Sequence, residues 1–314
     1  MGEKFAKLAS IARAKLFKRP LALCDISDLD GVTCAALFKM KHPEGEVVLA
    51  APYDVRRSWL LRAVTWDFVA DLPCPGKAIV RADHHASNLP CAAREFYDPS
   101  APAAAVLALK ALGLDDDPRA VKLVGLAVET DTAKISSPEA LALNDAVKGS
   151  KYAGKLRLID LLASRPLDEV LSDEKVRKSI ERYRGVREAT EKLAAELPLT
   201  ELFVAVFRRD QKLSYRYLCI LMERRGAKLT VVIVPRGFSL RIYLGSAARE
   251  FDVSKLAAKL GGGGHPYAAG ATIRALRKSK AISMVLNELR SFTGRESLNV
   301  VSISNGKVEQ KTWP

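Results

Sequence analysis

The sequence of 314 residues is 48% hydrophobic and 27% charged, which is enough apolar material for two domains that each bury a core. This composition excludes a disordered polar chain, a collagen-like repeat and a small disulfide-stapled protein. Fifty basic residues outnumber 36 acidic ones, for a formal net charge of +14. A polyanion is therefore the first class of partner to consider, and a soluble basic protein without such a partner is the alternative.

The sequence also lacks the patterns of membrane, secreted and zinc-stapled proteins. No apolar run approaches the roughly 18 residues of a membrane helix, and the basic N-terminal segment has no continuous hydrophobic stretch of signal-peptide type. Five cysteines, Cys24, Cys34, Cys74, Cys91 and Cys219, show no CxxC spacing, which argues against a disulfide framework and a structural zinc site. We therefore expect a cytoplasmic protein with no membrane partner.

In the first half, short apolar runs alternate with helical stretches, which is typical of a parallel or mostly parallel sheet. Strands are predicted over residues 21–26, 47–50, 65–70, 78–81 and 95–97. Helices are predicted over residues 33–41, 103–112, 119–129 and 139–149.

A charged stretch at residues 172–197 keeps its apolar residues on one narrow helical stripe, which suits a connector between two domains. Beyond it, strands are predicted over residues 202–207, 229–234 and 240–244, and helices over 215–225, 253–260 and 279–292. We therefore predict a first domain at residues 1–165, a helical connector at 166–200, a smaller α/β domain at 201–295 and a C-terminal tail at 296–314.

Four short segments of the first half place acidic or imidazole side chains after an apolar run or a helix. They carry Asp28 and Asp30, then Asp71, then Asp83, His84 and His85, and finally Asp131. Open α/β sheets gather their ligand-binding groups at the ends of parallel strands, and Asp28 and Asp30, two residues apart in a strand, would point to one side. Converging carboxylates repel unless a cation lies among them, and with imidazole they suit Mn²⁺ or a similar divalent ion. The alternative for each aspartate is a loop or helix-capping role, with Asp131 at a solvated helix end.

Five motifs in a fixed order extend this pattern: SDLDGVTCAAL, VADLP, RADHHAS, VETDT and GGGGHPYAAGA. Together they resemble the DHH–DHHA1 phosphoesterase family, over most of the chain. The resemblance implies an α/β fold, in which a mostly parallel-sheet DHH catalytic domain is joined by a helical connector to a smaller α/β DHHA1 domain. Members include RecJ-type single-strand exonucleases, nano-RNases that also dephosphorylate pAp, cyclic-dinucleotide phosphodiesterases and pyrophosphatases.

The resemblance also implies roles for the residues of the first four motifs. Metal ligands would be Asp28, Asp30, Asp71, His84 and Asp131, with Asp71 bridging two Mn²⁺ ions, or Mg²⁺ in their place. Asp83 would orient a histidine, and His85 would contact the scissile phosphate during hydrolysis by metal-activated water.

One position of the first motif departs from the family. Nano-RNase-like members carry a histidine four residues before the first aspartate, where this chain has Cys24. RecJ-type members carry an acidic residue two before it, where this chain has Ile26. Cys24 is either a thiolate ligand or a small buried strand residue. We therefore expect one metal site to be weakened, and a loss of catalysis is the alternative.

The four-glycine run before His265 is the second informative motif. Glycines remove every side chain, so backbone N–H groups can approach an anion closely, and a flexible linker is the alternative. In the resembled family Gly262, Gly263, Gly264 and His265 would hold substrate phosphate facing the metals. Arg241, on a predicted strand, matches the family's substrate-binding arginine less securely, and an exposed strand arginine is its alternative.

Basic and aromatic residues of the second half add a weaker nucleic-acid signal. Residues 274–280 and several arginine doublets could follow a phosphate backbone, although each alone is typical of a solvated face. Tyr215, Tyr217, Phe238 and Tyr267 could stack on bases, although strand aromatics usually belong to the core.

These observations favour a metal-dependent phosphoesterase that hydrolyses short oligonucleotides or small nucleotides. The expected partners are short single-stranded RNA or DNA, or small nucleotides, and a homodimer is left open. A RecJ-like single-strand exonuclease is the alternative within the enzymes, and hydrolysis of a phosphoanhydride is a third. A non-catalytic nucleic-acid-binding or replication-accessory relative is the alternative outside them.

Overall fold

The computed structural model describes residues 2–247, 250–304 and 307–314. The chain divides into two compact units, residues 1–184 and 185–314. The boundary falls inside one long helix, α10 (Glu174–Glu196). Within the described ranges, no helix is both long and apolar enough to cross a membrane.

The first unit is built on a five-stranded sheet in which every neighbouring pair of strands is parallel. Its order is β2-β1-β3-β4-β5. The strands are β1 (Leu21–Asp25), β2 (Glu46–Ala50), β3 (Thr65–Ala70), β4 (Lys77–Asp83) and β5 (Ala92–Tyr97).

Helices cover both faces of this sheet, so its central strands are buried on both sides. Ala22 and Cys24 of β1 belong to one apolar cluster, whereas Leu21 and Leu23 belong to the cluster on the other face. The helices are α1 (Glu3–Phe17), α2 (Leu29–Lys41), α3 (Pro52–Arg57), α4 (Trp59–Ala63), α5 (Ala104–Leu112), α6 (Pro118–Asp131), α7 (Pro138–Gly149), α8 (Tyr152–Ser164) and α9 (Leu167–Ser172).

The order of these strands marks where a ligand should bind. The chain moves outward from β1 to β2 on one side and from β3 to β5 on the other, so the direction of winding reverses between β1 and β3. In a doubly wound sheet, the loops leave a crevice at the carboxyl ends of the two strands flanking such a reversal. Residues that follow β1 and β3 are therefore placed to meet.

The second unit holds a seven-stranded mixed sheet of order β12-β11-β6-β7-β8-β10-β9. The pairs β11–β6 and β6–β7 are parallel and the other pairs are antiparallel. Its strands are β6 (Leu202–Phe207), β7 (Leu229–Arg236), β8 (Ser239–Ser246), β9 (Gly263–His265), β10 (Ala268–Arg274), β11 (Leu298–Ser304) and β12 (Lys307–Trp313). Its helices are α11 (Tyr215–Arg224), α12 (Val253–Lys259) and α13 (Lys278–Thr293).

Two segments differ from the expectations. Residues 296–314, expected to be a tail, contribute β11 and β12 to the sheet, and Leu298, Val300 and Ile303 bury their side chains there. The helix predicted at residues 33–41 begins earlier, at Leu29, because Asp28 caps its first turn. Alternation of apolar and polar residues marks the first segment, and a helix-capping aspartate marks the second. Each signal covers only a few residues.

A disulfide joins Cys74 and Cys91, whose Cα atoms lie 5.9 Å apart. The expectation against a disulfide framework missed this bridge, because the pairing depends on the neighbouring strands β3, β4 and β5 and not on cysteine spacing. Cys24, Cys34 and Cys219 are free and buried. The bridge closes a loop that contains Asp83, His84 and His85.

Candidate active site

The first two aspartates of the site lie at the start of α2. Asp28 is the N-cap, and its Oδ1 accepts a hydrogen bond of 3.3 Å from Gly31 N, while Asp30 lies in the first helical turn. The expectation that both belong to a strand is therefore wrong, because β1 ends at Asp25. The capping role expected as the alternative for Asp28 is present, and it leaves the second carboxylate oxygen for other partners.

Gly31 allows this helix to begin directly against the end of β1. A Cβ atom at Gly31 would lie 2.5 Å from the carbonyl oxygen of Asp25 and 2.7 Å from its Cβ, which no real side chain tolerates. The glycine of the DLDG motif therefore lets the start of α2 bring the carboxylate of Asp28 next to that of Asp25.

Asp71 enters the site from β3 through an unusual backbone conformation. Its φ is 58°, in the left-handed region, which aspartate adopts more readily than most residues with a side chain. Its N–H still donates to Ala82 O on β4 at 3.0 Å. The turn directs the Asp71 carboxylate into the crevice between β1 and β3, and residues held in such sparsely populated conformations concentrate at functional sites.

Asp83 ends β4 and organises the residues that follow it. Its Oδ1 accepts a hydrogen bond from His85 Nδ1 at 3.0 Å, and its Oδ2 accepts from Asn88 Nδ2 at 2.7 Å and from Arg81 Nη1 at 3.0 Å. Burial alone would raise the pKa of Asp83, but these hydrogen bonds and the charges of His85 and Arg81 lower it. Asp83 is therefore an ionised anchor for His85.

His85 is held in a defined orientation by this carboxylate. Burial alone would lower the pKa of His85, but the hydrogen bond to Asp83 and the charges of Asp83, Asp131 and Asp25 raise it. The same ring nitrogen lies 3.4 Å from Asp71 Oδ1. The imidazole is thus fixed at Nδ1 and favours its protonated form.

His84 lies at the same strand end, with its ring nearly perpendicular to that of His85. Its Nδ1 lies 3.0 Å from the carbonyl oxygen of Ala101. A carbonyl only accepts, so Nδ1 carries the proton of that hydrogen bond and the neutral ring presents the lone pair of Nε2. This Nε2 lies 3.6 Å from Asp131 Oδ2, 3.8 Å from Asp30 Oδ2 and 3.9 Å from Asp71 Oδ1. A lone pair that faces three carboxylates is the arrangement of a metal ligand.

Asp30 is fixed by a second helix. Its two oxygens accept hydrogen bonds from Ala104 N at 2.7 Å and Ala105 N at 2.8 Å, in the first turn of α5. The N-terminus of a helix carries partial positive charge, which stabilises a carboxylate there. Asp30 therefore both caps α5 and contributes to the site.

Asp131 is the last residue of α6, but it is not the solvated helix end expected as the alternative. Its side chain is 17% exposed, and its buried Oδ2 makes no hydrogen bond within the described part of the chain.

Apart from Asp83, whose two oxygens are already hydrogen-bonded, the side chains of the crevice provide two groups whose ligand atoms lie within 4.8 Å of one another. The first contains Asp25, Asp28 and Asp71, and the second contains Asp30, His84 and Asp131. Burial, followed by repulsion from neighbouring carboxylates, raises the pKa of Asp25 and Asp30 to about 7 and that of Asp131 to about 8. The same causes raise the pKa of Asp71 well above its usual value.

These residues fit a pair of divalent cations. Carboxylate oxygens with one imidazole are suitable donors for Mn²⁺ and Mg²⁺. The unbonded, buried oxygen of Asp131 and the raised carboxyl pKa values show that the protein alone does not satisfy this cluster. Asp71 lies near both groups, as a shared ligand would.

Asp25 is the residue that the sequence analysis missed. It is 4% exposed at the end of β1 and joins Asp28 and Asp71. The signal that could have found it was the acidic residue directly ending the first apolar run. Cys24 points instead into the core beside α2, where burial raises the pKa of its thiol, and Ile26 packs against that core. The expected weakening of one metal site stays a prediction, and the carboxylate of Asp25 in the first group argues against it.

Arg81 is a second residue that sequence patterns did not indicate. Its side chain is fully buried, and it joins Asp83 to Glu95 through ion pairs of 3.0 Å each. Its Nη1 also donates to Leu72 O at 3.2 Å, next to Asp71. Arg81 therefore ties the Asp71 turn to the strand end that carries both histidines.

Two lysines support the loop between β1 and α2. Lys148 Nζ donates to Ser27 O at 2.6 Å, and Lys155 Nζ donates to Ile26 O. Burial, with repulsion from Lys148, lowers the pKa of Lys155 to about 8. Both lysines therefore place positive charge near the carboxylates without pairing with them directly.

In the second unit, the four-glycine run has a packing role. Gly263, Gly264 and His265 form β9, the edge strand, which pairs with β10. A Cβ at Gly262 would lie 2.0 Å from Gly270 O, and one at Gly264 would lie 2.6 Å from Ala268 O. The second half of the run is therefore part of a strand, and Gly262 and Gly264 are packed closely against β10, which is not the arrangement of a flexible linker.

The other predicted substrate residues lie on this sheet. His265 is half-buried, and its ring stacks on Tyr267 with centroids 5.2 Å apart. Arg241 lies on β8, opposite Thr272 of β10, and is exposed. The predicted residues therefore form two sets. The residues of the first four motifs lie together in the first unit. The β8-β10-β9 part of the second unit carries the other set, which consists of Arg241, Gly262, Gly263, Gly264 and His265.

Comparisons with known proteins agree with this division. Residues 200–293 match the family model of the DHHA1 domain. No curated protein sequence matches the chain.

Three solved structures resemble the whole chain. The pGpG-specific phosphodiesterase PggH from Vibrio cholerae covers 87% of this chain and 100% of its own, with a TM-score of 0.61 and 19% identity. An exopolyphosphatase-related protein from Bacteroides fragilis covers 91% of this chain and 97% of its own, with a TM-score of 0.55 and 14% identity. RecJ from Thermus thermophilus, in complex with Mn²⁺, covers 96% of this chain with a TM-score of 0.58 and 14% identity, and the match spans 56% of RecJ. At these identities the likeness establishes the fold.

Proposed function

The DHHA1 match and the shared fold support the assignment of this chain to the DHH–DHHA1 family, and on this premise we propose that it is a metal-dependent phosphoesterase. Its proposed substrates are short oligonucleotides or small nucleotides. One observation carries the proposal: six aspartates and two histidines converge, buried or half-buried, at the point where the sheet reverses its winding. Strongly raised carboxyl pKa values in a crevice are typical of functional sites.

Two cations would be held by the two groups of the crevice. Asp25, Asp28 and Asp71 would bind one, and Asp30, His84 and Asp131 would bind the other, with Asp71 shared. When bound, such ions supply Lewis-acid activation of water and of the phosphoryl group. We assign Mn²⁺ as the working ion and Mg²⁺ as the alternative, since mixed carboxylate and imidazole donors suit both.

His85 would bind the scissile phosphate. Its Nδ1 is engaged by Asp83, so the ring is oriented, and its raised pKa favours the charged form that donates from Nε2. A charge-assisted hydrogen bond of this kind stabilises negative charge that develops on phosphate oxygens. In the second unit, Gly262, Gly263, Gly264 and His265 would bind a substrate phosphate, together with Arg241.

Short substrates are the preferred class because PggH, which acts on pGpG, is matched over its whole length. The rival is a RecJ-like single-strand exonuclease. The non-catalytic alternative rested on a missing ligand, and the presence of Asp25 in the first group removes that argument.

Hydrolysis of 5′-labelled RNA and DNA strands, from dinucleotides to long oligonucleotides, tests the proposal. The strands are incubated with Mn²⁺, with Mg²⁺ or with chelator, and each reaction is repeated with the His85→Ala variant. We expect metal-dependent cleavage confined to the shortest strands, and no turnover by His85→Ala.

Each other outcome has a definite meaning. Progressive degradation of long DNA would identify the exonuclease. Phosphate release from pyrophosphate or polyphosphate alone would identify a phosphoanhydride hydrolase. No cleavage with either metal, or full activity in His85→Ala, would refute the assigned site.

A further inference from the structure

The hairpin between β7 and β8 exposes an aromatic ring. Phe238 lies in its turn with 80% of its surface exposed, beside Gly237, whose φ of 55° suits the tight turn. The structure separates Phe238 from two of the other stacking candidates of this unit, Tyr215 and Tyr217. Tyr215 is 2% exposed and Tyr217 donates to Glu191 Oε1 at 2.7 Å, so neither presents a bare ring.

Strand pairing brings a basic segment next to this ring. Arg274, the last residue of β10, pairs with Ser239 of β8, and Ala275 N donates to Phe238 O at 2.8 Å. Two sequence signals that lie far apart in the chain, the lone phenylalanine and residues 274–280, therefore form one surface. Leu276, 91% exposed, extends its apolar part.

Two arginines pair across the strands with Ser239, the residue that follows Phe238. Arg236 and Ser239 pair directly across β7 and β8, and Ser239 pairs with Arg274 across β8 and β10. These residues lie in one row and therefore project to one face of the sheet. Arg236 is paired with Asp210 at 2.9 Å. In the described part of the chain, no acidic side chain lies within ion-pair distance of Arg274 or of the neighbouring Arg277.

Two features of this surface are unfavourable in the isolated protein. Two large apolar side chains stand almost fully in solvent, and α13 begins with Lys278 and Lys280 and no acidic residue in its first turn. Cations at a helix start are disfavoured by the helix dipole. We call Arg236, Phe238, Arg274, Leu276 and Arg277 the hairpin patch.

We propose that the hairpin patch binds single-stranded nucleic acid. Phe238 provides a face for one base, and Arg274 and Arg277 bind the adjoining phosphates. An exposed ring flanked by arginines matches the sequence-tolerant recognition of single strands, because every base has a π-face and every linkage a negative charge. An acidic peptide would satisfy the arginines but would not use the ring. The inference deepens the proposed function, on which it rests, by naming the polymer that the phosphoesterase holds.

Fluorescence anisotropy in chelator, with labelled single-stranded RNA and DNA of one length, measures this binding without turnover. We expect Phe238→Ala to weaken both strands about tenfold, the loss typical of one stacked base. We expect each of Arg274→Ala and Arg277→Ala to reduce the slope of log affinity against log salt by about 0.7. Phe5→Ala and Arg62→Ala are matched controls, since both residues are exposed in the first unit and Arg62 belongs to no arginine doublet, and circular dichroism checks that all variants fold.

Equal binding by Phe238→Ala and Phe5→Ala, or equal salt slopes for Arg274→Ala and Arg62→Ala, would overturn the proposal. Competition by polyglutamate as strong as by unlabelled strands would also overturn it, in favour of an acidic peptide. Loss in only one of the RNA and DNA series would restrict it to that polymer. Binding is measured without metal, so it is independent of hydrolysis. If the patch variants bind like the controls while hydrolysis is intact, only the proposal for the hairpin patch is refuted. If the strands bind but are not hydrolysed under any condition, only the proposed enzymatic activity is refuted.

Discussion

The crevice of the first unit and the hairpin patch of the second are opposites in charge and exposure. The crevice collects buried carboxylates around His84 and His85, whereas the patch exposes arginines around Phe238. The formal net charge of +14 has the same sign as the patch and gives no indication of the cluster of carboxylates in the crevice. The comparison shows two ways in which charge is arranged: buried carboxylates repel one another unless a cation lies among them, whereas exposed basic side chains are solvated and attract polyanions.

The largest effect that separates the two regions is expected for Asp71→Asn. Removing the shared carboxylate should lower metal-dependent hydrolysis by roughly a thousandfold or more and leave strand binding at the hairpin patch unchanged. The metal-free protein should melt at a higher temperature, because one repelling charge is gone. Steady-state kinetics and thermal denaturation in chelator measure both, with exposed Asp160→Asn as the control. Activity near that of Asp160→Asn would be inconsistent with a shared ligand.

Arg81→Met tests whether the ion network supports the histidines. It leaves Asp83 and Glu95 without their buried cation, so the free energy of unfolding of the first unit should fall by about 3 to 5 kcal/mol. Urea denaturation measures this loss, and exposed Arg94→Met, on the neighbouring strand, should change little. A loss no larger than that of Arg94→Met would show that Asp83 finds other partners.

The disulfide should have a smaller effect on the same region. Cys74 and Cys91 lie 17 residues apart in the sequence. Replacing both with serine removes the constraint on the loop between them, which should lower the free energy of unfolding by about 3 kcal/mol. The loop contains Asp83, His84 and His85, so hydrolysis should fall in parallel while patch binding does not. Reducing agent should reproduce both changes in the native protein and have no effect on the double variant. An equal response of the two proteins to reductant would contradict this account.

The pH dependence of the stability of the metal-free protein tests the raised pKa values in the crevice. Asp25, Asp30, Asp71 and Asp131 have raised pKa values in the folded protein, so their protonated forms favour folding. Metal-free stability should therefore decline as pH rises from the ordinary aspartate value of about 4 towards about 8, the value to which the pKa of Asp131 is raised. Added Mn²⁺ should reverse the decline, most strongly at high pH. Thermal denaturation across this range, with chelator and with Mn²⁺, gives the answer, and a metal-free stability that increases with pH would contradict it.

The sequence predicted most of the strands and helices of this fold, and some of the residues of both the crevice and the hairpin patch. Asp83, His84 and His85 form a contiguous motif behind an apolar run, so their position at a strand end followed directly. Asp25 was missed because its role depends on how closely Gly31 lets α2 approach β1. Arg81 was missed because its partners Glu95 and Leu72 meet it only in the folded sheet. Phe238 and Arg274 were each visible, but the β8–β10 register makes them neighbours.

Mn²⁺ titration of the whole chain tests the central claim most directly, with bound ions counted by electron paramagnetic resonance. The account predicts two ions per chain in the native protein, one fewer or a much weaker second site in Asp25→Asn, and two ions in Cys24→Ser, because Cys24 belongs to the core. An Asp25→Asn variant that binds both ions like the native protein, or a loss confined to Cys24→Ser, would contradict it.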